Sequence, residues 1–156
     1  MKKIKSIASI TLCLVLVFSF SGCSKKVPVT SQEFGDVMTQ IGYTVKDIKE
    51  QYSDVAFITE AYLAVDKTQS YQIEFYVTSD SGKAENLFEE NKQNYEQNKS
   101  SAYVRNSYDV GNHSKYTLTT DGMYILISRI DNTLIFVKTF ADYKDAVDTA
   151  ADTLGY

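Results

Sequence analysis

Histidine occurs once in these 156 residues, proline once, tryptophan not at all and cysteine twice. Both cysteines, Cys13 and Cys23, stand near the start. The rest of the chain therefore has no disulfide, no thiolate nucleophile and no cysteine-based metal site. A lone His113 excludes the usual zinc and copper ligand sets, which draw on several imidazoles or thiolates. The 7 glycines are scattered singly, so no run of sequence forms a phosphate-cradling loop. There is no Asp-x-Asp-x-Asp-Gly series for calcium and no Gly-x-Ser-x-Gly elbow to expose a nucleophilic serine. No cofactor is expected.

What remains is the composition of a folded domain. Hydrophobic residues make up 44% and charged ones 23%, too apolar for a disordered chain. Tyrosine is abundant, at 12, and suits half-buried strand positions, so the balance leans towards β structure.

The first 23 residues read differently from the rest. Lys2, Lys3 and Lys5 precede an almost wholly apolar run from Ile7 to Phe20. That run is only about two-thirds of the ~20 apolar residues a membrane-spanning helix needs. A basic head, a short apolar centre and small residues ahead of a cut point describe a secretory signal peptide. The end, Phe20-Ser21-Gly22-Cys23, resembles the lipobox of bacterial lipoproteins, with Phe20 where leucine is usual. The resemblance implies that residues 1–22 are removed and that the Cys23 thiol carries a diacylglyceryl group. Two or three acyl chains hold stably where one holds marginally, at about 0.8 kcal/mol per buried methylene. Lys25 and Lys26 then stand where anionic headgroups would meet them, at roughly 1 kcal/mol each. In general plan the chain resembles small lipoproteins of Gram-positive bacteria. The implied location is extracytoplasmic, anchored to the cell membrane.

Loss of the leader removes Lys2, Lys3 and Lys5 and no acid. The 16 basic residues become 13 against 20 acids, a net charge of −7. That balance argues against nucleic acid as a partner, since its phosphates need a basic face.

Residues 23–29 read as lipid anchor and short linker, and residues 30–156 as one globular domain. Thr30 and Glu33 fit a capping box ahead of Phe34, Val37, Met38 and Ile41, one face of a helix closed by Gly42. Thr44 to Tyr52 suggests a second short helical turn. Val55–Val65 is a strand, and Tyr71, Ile73, Phe75 and Val77 alternate with polar neighbours in another. Residues 83–99 form a helix with Ala84, Leu87, Phe88 and Tyr95 on one side. Four strands follow at 102–110, 115–120, 123–130 and 133–140, and Asp121-Gly122 is a strong hairpin turn. The last two are apolar on both faces, as central strands are. Tyr143, Ala146, Val147, Ala150 and Leu154 make a closing helical stripe, with which the chain is expected to finish. The expected fold is α+β, in the order α-β-β-α-β-β-β-β-α, with an antiparallel sheet of about five to six strands. Its helices are expected mainly on one face.

Chemistry is thin. His113 lies in a glycine-containing turn near Asp109 and is expected in solvent. Glu60 and Glu74 lie on paired strands as candidate hydrolytic carboxylates. Among strand tyrosines, Tyr76 and Tyr124 are candidates for an open aromatic surface. Arg105 and Arg129, the only arginines, are candidates for pairing a ligand or partner carboxylate, or else Glu60 or Glu74. The expected function is a lipid-anchored binding or accessory protein of the cell envelope, without catalysis, serving a small ligand or an envelope protein. A self-associating component of an envelope complex is the second reading, and a carboxylate hydrolase of envelope material the third.

Overall fold

A computed structural model describes residues 25–156. The leader and Cys23, with the lipobox expectation, lie outside the described residues. Residues 25–30 have no regular secondary structure. Helix α1 (Ser31–Gln40) follows, then strand β1 (Thr44–Asp47), a short 3-10 turn (Lys49–Tyr52), β2 (Ile58–Val65) and β3 (Gln72–Thr78). Helix α2 (Ser81–Asn98) leads to β4 (Tyr103–Val110), β5 (His113–Thr120), β6 (Met123–Ile130) and β7 (Thr133–Phe140). A second 3-10 turn (Ala141–Tyr143) runs into α3 (Lys144–Thr153).

The strands form one antiparallel sheet in the order β1-β2-β3-β7-β6-β5-β4. The α+β class holds, but the sheet has seven strands rather than five or six. The additional strand is β1, expected as a helical turn. Four residues carry too little periodicity to declare a strand, and Thr44–Asp47 becomes one by pairing with Tyr62–Val65. Residues 55–57 drop out of the expected first strand, and a register shift between Ile58 and Glu60 marks a bulge in β2.

Helices cover both faces, which corrects the expectation of one. On the first face, Phe34 and Met38 of α1 and Val147, Ala150 and Ala151 of α3 pack on Ile73, Phe75, Tyr124, Leu126, Ile135 and Val137. On the second, Phe88 of α2 packs on Tyr76, Tyr116, Leu118, Ile125, Ile127 and Leu134, with Leu87 and Tyr95 against its rim. The apolar residues of β6 and β7 alternate between these two cores, the physical meaning of strands apolar on both sides. The amphipathic pattern of each helix records that it covers something, but not which side.

Local signals act as read at both ends of the chain and at the hairpin. Thr30 and Glu33 complete a reciprocal capping box, and Glu33 is held below the usual carboxylate range by the Thr30 main-chain and hydroxyl bonds. Asp121 and Gly122 both take positive φ, 51° and 73°, as a type I′ turn requires. Val29 packs on the first core, and Lys26 hydrogen-bonds to Asn112 and Gly155, so contact with the body begins before Thr30.

Candidate functional site

Because α1 and α3 cover only part of the first face, β5 and β4 project beyond them. The uncovered strip is built from three cross-strand pairs, Val104–Thr119, Asn106–Thr117 and Tyr108–Lys115. Period-two alternation puts these six side chains on one face, while Tyr116 and Leu118 point into the opposite core. The wall is Tyr124 together with Lys144, Asp148 and Asp152, which stand at i, i+4 and i+8 along α3. Between floor and wall lies a groove of about 390 Å³. That volume falls within the range of small-molecule sites, about 300–1,000 Å³.

The charges of the groove are tied to one another. Lys144 Nζ lies 2.5 Å from Asp148 Oδ2, and the Tyr124 hydroxyl donates to Asp148 Oδ1. The Asp148 hydrogen bond raises the Lys144 ammonium pKa, while burial, with Asp148 beside it, raises that of the Tyr124 phenol. The Lys144 ammonium also sits 5.5 Å from the centre of the Tyr124 ring. Lys115 Nζ reaches Asp152 at 3.5 Å and the main-chain oxygen of Tyr156 at 3.1 Å. Two cations and two anions cancel, leaving Asn106, Thr117, Thr119 and the exposed edge of Tyr108 to meet a ligand.

The residues singled out in the sequence do not converge. Tyr124 lines the groove, though its ring is buried in the first core. Tyr76 faces the other way and is also buried. Its hydroxyl donates to Glu74 and lies 2.6 Å from that of Tyr52, beside a smaller cleft of about 220 Å³ between the sheet and α2. Neither candidate therefore offers an open aromatic face: both rings supply core area.

Arg105 lies on the α2 face, paired with Glu96 at 3.2 Å. Lys99, Tyr116 and Arg105 together bring the Glu96 carboxyl down to about 2. Arg129, on that same face, is nearly inaccessible; its Nη2 donates to Ser114 Oγ at 2.9 Å and lies 4.0 Å from Asp109. Neither arginine meets Glu60 or Glu74. Those carboxylates lie on opposite faces, since the register sets Glu60 beside Val77 and Glu74 beside Leu63. They form no hydrolytic pair.

His113, expected in solvent, is only 4% exposed. It opens β5 with Nε2 at 3.1 Å from Ser128 Oγ, and Asp109 is turned to the other face, towards Ser114. No Ser-His-Asp relay is present there. The groove residues carried a signal that sequence reasoning passed over. In Lys115-Tyr116-Thr117-Leu118-Thr119, polar and apolar alternate, and Lys144, Asp148 and Asp152 form a charged stripe beside the apolar stripe of α3.

No family model matches the chain, and no curated protein does. A solved structure described as a GTP binding regulator from Thermotoga maritima is similar at 18% identity and a TM-score of 0.49. The match covers 81% of this chain and 84% of that one.

Proposed function

We propose that the protein is a lipid-anchored extracytoplasmic binding module of the bacterial cell envelope, tethered through Cys23. In this reading the β4–β5 groove receives a small, neutral, polar ligand. The observation that carries it is the groove itself: an uncovered strip of sheet, roofless beyond α3, with its charges internally cancelled. A neutral ligand bearing hydroxyls or amides matches the free groups of Asn106, Thr117 and Thr119, and Tyr108 offers it an aromatic surface. The acids in the wall, Asp148 and Asp152, are tied to lysines, which supports binding over hydrolysis.

The anchor rests on the lipobox pattern, and the course of the linker fits it. Lys26 donates its main-chain N–H to Asn112 Oδ1 at 3.0 Å and accepts from Asn112 Nδ2 at 2.8 Å. Two residues, Ser24 and Lys25, separate Cys23 from this clasp, so its three Cα–Cα steps reach about 10 Å at full extension. A lipid on Cys23 therefore keeps the Asn112 corner of the body close to the bilayer.

The test joins anchor and groove. The full chain expressed in a bacterium should partition into detergent, and its Cys23→Ala variant into water. Residues 25–156, incubated with envelope extract, should show a discrete added mass in a native mass spectrum. Thr117→Leu, which fills the floor, should abolish that mass while leaving the circular dichroism unchanged. An adduct that survives Thr117→Leu refutes the groove as its site, and no adduct at all refutes the binding reading.

A further inference from the structure

Strand β4 is the edge of the sheet, and all eight of its residues are exposed. It pairs with β5 without a bulge from Tyr103 to Val110 and contains neither proline nor lysine; its only charges are Arg105 and Asp109, opposite in sign. The opposite edge, β1, is only four residues long. Exposed apolar side chains concentrate on β4: Val104 is 74% exposed and Val110 54%, with Tyr103 and Tyr108 beside them.

The direction of the free backbone groups follows from the turn. Val110 and His113 flank the two-residue loop Gly111–Asn112, so they close the turn hydrogen bond and form a hydrogen-bonded pair. Alternation then points the N–H and C=O of Val110, Tyr108, Asn106 and Val104 towards β5. Those of Asp109, Ser107, Arg105 and Tyr103 point outwards, with no neighbouring strand among the described residues.

We propose that β4 pairs antiparallel with β4 of a second copy of this chain, about a two-fold axis through Ser107. The two sheets then join into one. In this register Ser107 meets its own counterpart, and Arg105 meets Asp109 of the second copy in both directions. All these residues have outward backbone groups, so each pair exchanges two hydrogen bonds, about six in all. On the α2 face the charges run Glu96, Arg105, then Asp109 and Arg129 of the second copy, alternating in sign throughout. On the groove face Val104 meets Val110, and Asn106 meets Tyr108. Centring the axis on residue 105 instead sets arginine on arginine, and centring it on 109 sets aspartate on aspartate. Like charges directly opposed are unfavourable, so the sequence of β4 selects the Ser107 register. Charge complementarity along a straight eight-residue edge specifies a second copy as the occupant.

The pairing has a consequence for the groove. A two-fold axis normal to the sheet keeps both β4–β5 strips on the same side, so the two grooves meet along the seam. The same axis, set normal to a bilayer, brings both Lys26 clasps to equal height. Dimer formation itself does not depend on the lipid or on any ligand.

Sedimentation of residues 25–156 at increasing concentration tests it directly: the mass should double. Ser107→Pro removes an outward N–H that β5 does not use, so it should hold the protein at monomer mass with an unchanged circular dichroism spectrum. The register is read by cysteines in this cysteine-free segment. Ser107→Cys sets two Cα atoms about 5.5 Å apart, within disulfide range, whereas Asn106→Cys places its pair diagonally. Oxidation should link Ser107→Cys at least tenfold faster than Asn106→Cys. A wild-type segment that stays monomeric to millimolar concentration overturns the proposal. So does a dimer that survives Ser107→Pro, or equal cross-linking of the two cysteine variants.

Discussion

Acidification should destabilise this protein through its one histidine, well before its carboxylates respond. His113 is buried at the start of β5, against Ser128 and edge-to-face with the Tyr108 ring at 4.9 Å. Burial, with Lys26, Lys115 and Arg129 nearby, brings the imidazole down from 6.5 to about 4. Unfolding restores the ordinary value near 6.5, so between these two limits the unfolded chain holds a proton that the folded chain refuses. Stability is then full above pH 6.5 and declines as pH falls towards 4, by up to about 1.4 kcal/mol per unit. From pH 7.5 to 4.5 the accumulated loss is about 2.5 kcal/mol. The shifted carboxyls, Glu33, Asp66, Asp80 and Glu96, all move downwards, so their own losses come at lower pH. Urea unfolding of residues 25–156 at pH 7.5, 6.5, 5.5 and 4.5, followed by circular dichroism, measures the slope. His113→Gln should start from lower stability and show a flat profile from pH 7.5 to 5.5, where the carboxyls do not yet contribute. A wild-type profile that is flat from 7.5 to 4.5, or a slope from 7.5 to 5.5 that persists in His113→Gln, would refute the assignment.

Two further outcomes concern the first core. Phe34 is fully buried and stacks on Phe75 at 4.6 Å between ring centres, so Phe34→Ala should cost about 3–5 kcal/mol in urea unfolding. A loss below about 1 kcal/mol would mean that α1 does not seal this face. Thr30→Ala removes the reciprocal cap and should cost about 1 kcal/mol, while Thr30→Ser should retain most of it. Equal losses in the two variants would show that the hydroxyl is not the stabilising group.

Elements whose signals are local were legible in the sequence. The α1 cap, the Asp121-Gly122 hairpin, the β6 and β7 limits and the buried stripe of α2 all stand where the pattern put them. Each depends on side chains within a few residues of the backbone they organise. β1 was not legible, because a four-residue strand exists only by virtue of its partner. His113 shows the same limit from the other side. A histidine after Gly111-Asn112 reads as a solvated turn residue, yet two-residue closure of the loop makes it the first inward residue of β5.

The candidate site divides along this line. The sequence by itself determined an α+β chain of net charge −4 with one histidine and no cysteine beyond residue 23. It also supplied Phe20-Ser21-Gly22-Cys23, the contiguous stretch on which the proposed lipid anchor rests. The tertiary structure alone decided that Arg105 takes Glu96 and Arg129 takes Asp109, and that Glu60 and Glu74 are separated by the thickness of the sheet. It alone brought Asn106, Thr117 and Asp148 to one groove and placed β4 at the edge of the sheet. Strand order and face are set by which apolar surfaces the helices cover, and that is a property of the whole core rather than of any stretch of sequence.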